Sequence, residues 1–396
     1  MGIRATAACL VAVHLALPVG ASAQARVELI PSVSLFTVYD DNILARRGGA
    51  AGQMLQLRPG FEGSYESPTL RLLGFVSFDA QRSNFSSLNT FDARRHTLVE
   101  ARLRTNPFTT LGVGLRYDRS ETPGEIDFES GLLGERRQAD RLALTPTVSR
   151  RLNTRTTLTA GYDLTTERLV DGDRGTLHVG RTGLSRDIST RTTVSVSYAG
   201  RRFVDPVASY SSHAALLGWN HELAPGTRLS LAAGPKITSY RGFAPEVVVG
   251  FARATNRVRV ALDYWHGETI VLGIRGPVGV DSVTSRVTWP VTRRFEFATH
   301  SGVSAVSTLD SKTTTIYRGT LVGSWSPGGL YTVAASYGLD FQQGTIRNST
   351  FSDGIPVRPD DHILRHVVRI GVTIAPRYGR SILPPGEAAR ATGVVQ

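Results

Sequence analysis

In Leu111-Gly112-Val113-Gly114-Leu115-Arg116-Tyr117-Asp118, every second residue is large and apolar, and the residues between are small or charged. A β-strand sends successive side chains to opposite faces, so this stretch has one oily face and one polar face. The same alternation sets Leu55, Leu57, Phe61 and Tyr65 against Gln56, Arg58, Glu62 and Ser64. It sets Val258, Val260, Leu262 and Tyr264 against Arg257, Arg259, Ala261 and Asp263. In Tyr331, Val333, Ala335, Tyr337, Leu339 and Phe341 the alternate residues are mostly small. The pattern recurs from about residue 31 to about residue 376, and no comparable stretch carries a helical period.

Two kinds of connection separate the alternating runs. One kind is short, as in Ser67-Pro68-Thr69, Leu152-Asn153-Thr154, Leu223-Ala224-Pro225-Gly226 and Ser326-Pro327-Gly328-Gly329. The other is longer and more polar, near residues 40–52, 82–92, 119–138, 169–175, 202–211, 238–244, 267–280, 309–313 and 342–362. Short turns at one end and long loops at the other are the layout of a bacterial outer-membrane barrel, with the short turns periplasmic. The expected fold is therefore all-β, a single closed antiparallel transmembrane β-barrel of about 18 strands (16–18). Each strand is expected to be about ten residues long, enough for a tilted crossing of the bilayer. The stretches 234–245 and 271–280 leave the count open by about two.

Strands in hydrocarbon have no water to satisfy N–H and C=O groups, so such a sheet must close on itself. A soluble sandwich or propeller would instead show short loops at both ends and blade-like repeats. One echo exists: Ser149 to Tyr162 reads S-R-R-L-N-T-R-T-T-L-T-A-G-Y and Ser185 to Tyr198 reads S-R-D-I-S-T-R-T-T-V-S-V-S-Y. It marks hairpins of similar size and does not continue along the chain, which excludes a solenoid.

Residues 1–23 read as a cleaved export signal. Arg4 supplies the positive start, Ala5 to Leu17 the apolar stretch, and Ala21-Ser22-Ala23 the small-x-small cleavage pattern, so maturation is expected near Gln24. Beyond it, no run approaches the ~18 apolar residues of a spanning helix. Cys9 is the only cysteine and lies in the signal, so the mature chain has no disulfide, thiolate metal site or cysteine nucleophile. The formal net charge of +12 comes almost wholly from arginine, since Lys236 and Lys312 are the only lysines. Those arginines are scattered singly through the strands of an exported chain, which argues against a nucleic-acid partner. The barrel is expected over 24–376, with 377–396 a flexible periplasmic tail.

The run Phe36-Thr37-Val38-Tyr39-Asp40-Asp41-Asn42-Ile43 ends a strand soon after the signal. A strand closing on Y-D-D-N-I in this position resembles the outer-membrane β-barrel porins found beside Gram-negative bacterial exopolysaccharide systems. The resemblance implies a conduit in the outer membrane for exopolysaccharide export, with polysaccharide and periplasmic export machinery as partners. Read from the residues alone, Asp40, Asp41 and Asn42 suit a strand-to-loop turn through their short acceptor side chains; a cation site is the less favoured reading.

With the apolar alternates facing lipid, the pore-lining set is Arg58, Glu62, Glu100, Arg102, Arg104, Arg116, Asp118, Arg141, Asp163, Arg259, Asp263, Arg286, Arg318 and Arg369, with Glu296 on the same face. Two readings stand side by side: a pore with a slight anion preference, or Arg–carboxylate pairs that fill and stiffen the lumen. Tyr65, Phe78, Tyr117, Tyr162, Tyr198, Trp219, Tyr264, Trp289, Trp325 and Tyr337 are candidates for the aromatic girdle, whereas Phe75 has inward parity. Histidines are scattered and no G-x-S-x-G occurs, so no catalytic constellation, cofactor or metal site is expected. His362 and His366 are expected at a loop-to-strand junction, on different faces. Besides the exopolysaccharide conduit, a general solute porin and an adhesive barrel with a blocked lumen remain open. Residues 119–138 and 342–362 are long enough to fold inward as a constriction.

Overall fold

The period-two pattern becomes eighteen antiparallel strands in the computed structural model, which describes residues 25–45, 48–121, 132, 138–169, 174–271, 274, 276–309, 313–344 and 362–376. The first six strands are β1 (Arg26–Asp40), β2 (Gly52–Glu66), β3 (Leu70–Ser83), β4 (Thr90–Asn106), β5 (Thr109–Ser120) and β6 (Ala139–Arg151). The next six are β7 (Thr156–Leu169), β8 (Arg174–Asp187), β9 (Thr192–Val204), β10 (Ser209–Ala224), β11 (Thr227–Thr238) and β12 (Gly242–Ala254). The last are β13 (Arg259–Thr269), β14 (Val278–Pro290), β15 (Phe295–Ser307), β16 (Thr313–Trp325), β17 (Tyr331–Gln343) and β18 (His362–Ile374). A 3-10 turn, Ser86–Leu88, sits between β3 and β4. The expected signal (1–23) and tail (377–396) lie outside the described residues.

Each strand pairs with its neighbours in the chain, and β1 also pairs with β18, so the sheet has no free edge. That closure satisfies the backbone of every strand without water. The two faces differ as the sequence pattern requires. On β1, Val27, Leu29, Val33, Leu35 and Tyr39 are exposed on the outer wall, while Ser34, Phe36, Val38 and Asp40 are buried on the inner one. Val33, Leu55 and Leu57, at 48%, 48% and 45% exposed, belong to an apolar belt that continues round the ring. Such a belt is an aggregation surface in water and the natural surface in hydrocarbon.

The strands run 11 to 17 residues, longer than the expected ten. Their pairing continues into segments whose polarity suggests loops: β11 and β12 pair as far as Thr238↔Gly242, which leaves a three-residue turn where residues 238–244 suggest a long loop. Only the β1–β2, β5–β6 and β17–β18 connections exceed ten residues. Strand backbone outside the bilayer carries polar side chains without losing its ladder, so polarity marks the membrane boundary and not the strand end.

The seam between the first and last strands is held by side chains. It has eight residue pairs against fifteen between β1 and β2. At its upper end Arg365 donates to Asp40 Oδ2 from Nη2 at 2.7 Å and from Nε at 3.0 Å. The Asn42 side chain donates to the Leu364 carbonyl at 3.1 Å, and the His366 amide donates to Asp41 Oδ1 at 2.6 Å. Lower down, the Phe36 ring lies between the guanidinium groups of Arg58 and Arg369, each 5.7 Å from its centroid. Gly371 faces that ring; a Cβ there would press on Phe36 and stand 2.5 Å from the Leu35 carbonyl oxygen.

Two apolar clusters cover parts of the inner wall near the long-loop end. Phe36, Val38 and Met54 pack with Ile43 and Leu88 from the adjoining connections. Val278, Val280, Val306 and Ile316 pack with Val271, and Trp265, Ile274 and Leu132 lie against them. Leu132 belongs to the β5–β6 connection, yet it meets β14–β16, half-way round an eighteen-strand ring. Strands ~4.8 Å apart and tilted ~40° make such a ring roughly 35 Å across. The dozen residues from 121 to 132 are long enough to reach that far at ~3.3 Å each.

Candidate pore lining

Register carries the inward parity of one strand to the next. Arg58 of β2 stands inward, and so do Gln81, Asp79, Ser77 and Phe75 of β3. Followed round the ring, all fourteen candidate residues (Arg58, Glu62, Glu100, Arg102, Arg104, Arg116, Asp118, Arg141, Asp163, Arg259, Asp263, Arg286, Arg318 and Arg369) and Glu296 have the parity of the inner wall.

They divide by height. Within about six residues of the strand ends on the long-loop side, the inner wall is a belt of ion pairs. Arg58 is bidentate with Asp79, at 2.5 and 2.7 Å. Asp118 takes Arg116 at 2.5 Å and His96 at 3.0 Å, and Arg141 stands 3.5 Å from Glu167. Arg318 binds Asp340 at 2.8 Å; Arg365, already on Asp40, lies 3.8 Å from the same carboxylate. Arg181 pairs with Asp163 lower down. Two further pairs bridge strands that are not neighbours. Arg201 of β9 is bidentate with Glu246 of β12, at 2.7 and 2.5 Å, and Lys236 of β11 meets Glu268 of β13 at 2.9 Å. Burial and a hydrogen bond to Glu268 push the phenol of Tyr240, in the β11–β12 turn, above its ordinary range.

Toward the short turns the wall changes character. Among the described residues, Glu100, Arg102, Arg104, Arg259 and Asp263 carry no ion pair. Arg102 stands directly across from Arg71. Like charges side by side on a wall that water reaches are solvated and free to meet a solute, whereas the belt above has its charges already matched.

Several partners escape a reading by residue type alone: Asp79, Glu167, Asp340, Arg201, Glu246 and Arg365. Parity does mark them; Asp340, for instance, lies between the lipid-facing Leu339 and Phe341. What parity cannot supply is which residue stands opposite, since that depends on register. The Asp40-Asp41-Asn42 turn is the clearest case. Its side chains serve the seam, Asp40 and Asp41 as acceptors and Asn42 as a donor, and Asp40 is bound by Arg365, 325 residues away.

The outer wall carries the girdle candidates Tyr65, Phe78, Tyr117, Tyr162, Tyr198, Trp219, Tyr264, Trp289, Trp325 and Tyr337 by the same register logic. Several form a repeated diagonal pair with histidine on the next strand. The hydroxyls of Tyr162, Tyr198 and Tyr337 lie 2.6, 2.7 and 2.7 Å from Nδ1 of His178, His213 and His366. His362 and His366 are therefore not split between two faces. Both lie within β18 on the outer wall, because an even separation in a strand returns to the same side.

No family model matches the sequence, and no curated protein matches it. Solved structures do match. The chain is similar to OccAB4 of Acinetobacter baumannii with a TM-score of 0.50 at 8% identity, over 90% of this chain and 99% of that one. Pseudomonas aeruginosa OccK7 (OpdD) gives 0.48 at 13% identity, over 90% and 100%. An anion-selective porin from Comamonas acidovorans gives 0.41 at 12%, over 89% and 100%. The likeness is one of fold. A closed eighteen-strand barrel with an apolar outer belt is the architecture of a Gram-negative outer-membrane protein, and the chain is placed there.

Proposed function

We propose that the barrel is a passive channel for small solutes, with a mild preference for anions. The observation that carries this reading is the two-faced wall: an apolar exterior around an interior on which nine arginines and five carboxylates of the candidate set share one face. Barrels of this strand number leave an aqueous lumen unless something fills it. In the upper belt the pairs stiffen the wall and offer no net charge. Selectivity would arise lower, where Arg71, Arg102 and Arg104 stand near the periplasmic mouth with Glu100 as the acidic counterweight.

The exopolysaccharide conduit ranks below this reading. It rests on the resemblance of Phe36 to Ile43 alone, and Asp40, Asp41 and Asn42 in that run are accounted for by closure of the seam. Purified mature barrel in planar bilayers is expected to conduct, with a reversal potential of the sign for anions under a salt gradient. Loaded vesicles should swell with small sugars. A silent barrel would sink the proposal and favour the adhesive reading. Loss of surface polysaccharide on deleting the gene would favour the conduit.

A further inference from the structure

On the outer wall at the long-loop rim, one row of facing residues crosses five strands. Arg95 of β4 faces Arg119 of β5, Arg119 faces Asp140 of β6, Asp140 faces Arg168 of β7, and Arg168 faces Arg174 of β8. Four guanidinium groups and one carboxylate thus stand side by side over about 19 Å, at ~4.8 Å per strand. The acidic groups are used at one end of the row. Asp140 accepts from Arg119 at 2.6 and 3.2 Å and from the Tyr117 hydroxyl at 2.9 Å. Asp92 accepts from Arg95 at 2.5 Å and from Arg119 at 3.0 Å.

At the other end Arg168 and Arg174 are exposed, directly opposed and without an ion pair among the described residues. Like charges directly opposite one another destabilise a sheet. Below the row come Leu142, Thr166 and Thr176, under Asp140, Arg168 and Arg174; one level lower the wall is apolar on β6 and β7, where Leu144 faces Leu164. A ligand that suits both levels has anionic groups at the rim and hydrocarbon below it.

We propose that this row docks a multiply phosphorylated glycolipid of the outer leaflet, its phosphates on Arg168 and Arg174 and its acyl chains along the apolar wall beneath. The long-loop rim faces that leaflet. Two uncompensated guanidinium groups side by side on β7 and β8 match a headgroup with more than one phosphate better than a single phosphodiester. The site is on the outside of the barrel and does not depend on conduction through the lumen.

The test uses mature barrel in neutral detergent, titrated with diphosphorylated lipid A and followed by native mass spectrometry. R168Q/R174Q is the variant, and R253Q, on the outer wall near the short turns, is the control. Wild type and R253Q should retain lipid A, and the double variant should bind it roughly tenfold to thirtyfold more weakly, at about a factor of five per arginine. Dephosphorylated lipid A should not bind. A compact, heat-modifiable band on an unheated gel, matching wild type, would confirm that the double variant is folded. Equal binding to wild type and double variant would overturn the proposal. Equal binding of phosphatidylglycerol, or displacement of lipid A by inorganic phosphate at the same phosphate concentration, would overturn it as well.

Discussion

Replacing Glu246 by Gln is expected to destabilise the folded barrel by about 3 kcal/mol. Glu246 and Arg201 bond twice, at 2.5 and 2.7 Å, with side chains only 3% and 10% exposed. The pair reaches from β9 to β12, over the inner faces of β10 and β11, so neither group regains water by a simple rotamer change. Glutamine keeps the shape and one acceptor but leaves the guanidinium uncompensated. Removing one member of a buried pair costs ~3–5 kcal/mol, and the retained acceptor places this case at the lower end. About 3 kcal/mol is roughly a hundredfold in the folding equilibrium. Urea unfolding in detergent, read by tryptophan fluorescence, measures it. The double variant Arg201→Met/Glu246→Leu should recover most of the loss, because it removes both charges. The reasoning fails if E246Q unfolds within ~0.5 kcal/mol of wild type, or if the double variant is as unstable as the sum of the two single ones.

Two other outcomes are expected. Gly371→Ala should cost ~1–3 kcal/mol by forcing Phe36 and the Leu35 carbonyl apart at the seam; on an unheated gel the variant should lose its compact form at a lower temperature than wild type. Arg102→Glu/Arg104→Glu should move the reversal potential toward cations while leaving thermal stability within ~0.5 kcal/mol, since neither arginine is ion-paired among the described residues. An unmoved potential would place the selective charges elsewhere.

The walls of the barrel are legible in the chain because a strand has only two faces. Leu111 to Asp118 already separates lipid side from water side, and turns such as Leu152-Asn153-Thr154 bring the count to between 16 and 18, which the structure fixes at eighteen. Strand length is less legible, because Thr238 and Gly242 pair beyond the level where polarity changes. The pairings are hidden for another reason. Arg201 and Glu246 lie 45 residues apart, and which of the many inward carboxylates meets a given arginine depends on stagger between strands that no local pattern encodes. Leu132 shows the same limit, being an ordinary loop leucine until the ring brings β14–β16 opposite it.

Asp40 and Arg365 are made at opposite ends of synthesis, and each is buried only once the other arrives. A chain cut short before β18 would leave that carboxylate bare and one edge of β1 unzipped, so the first strand is finished only by the last.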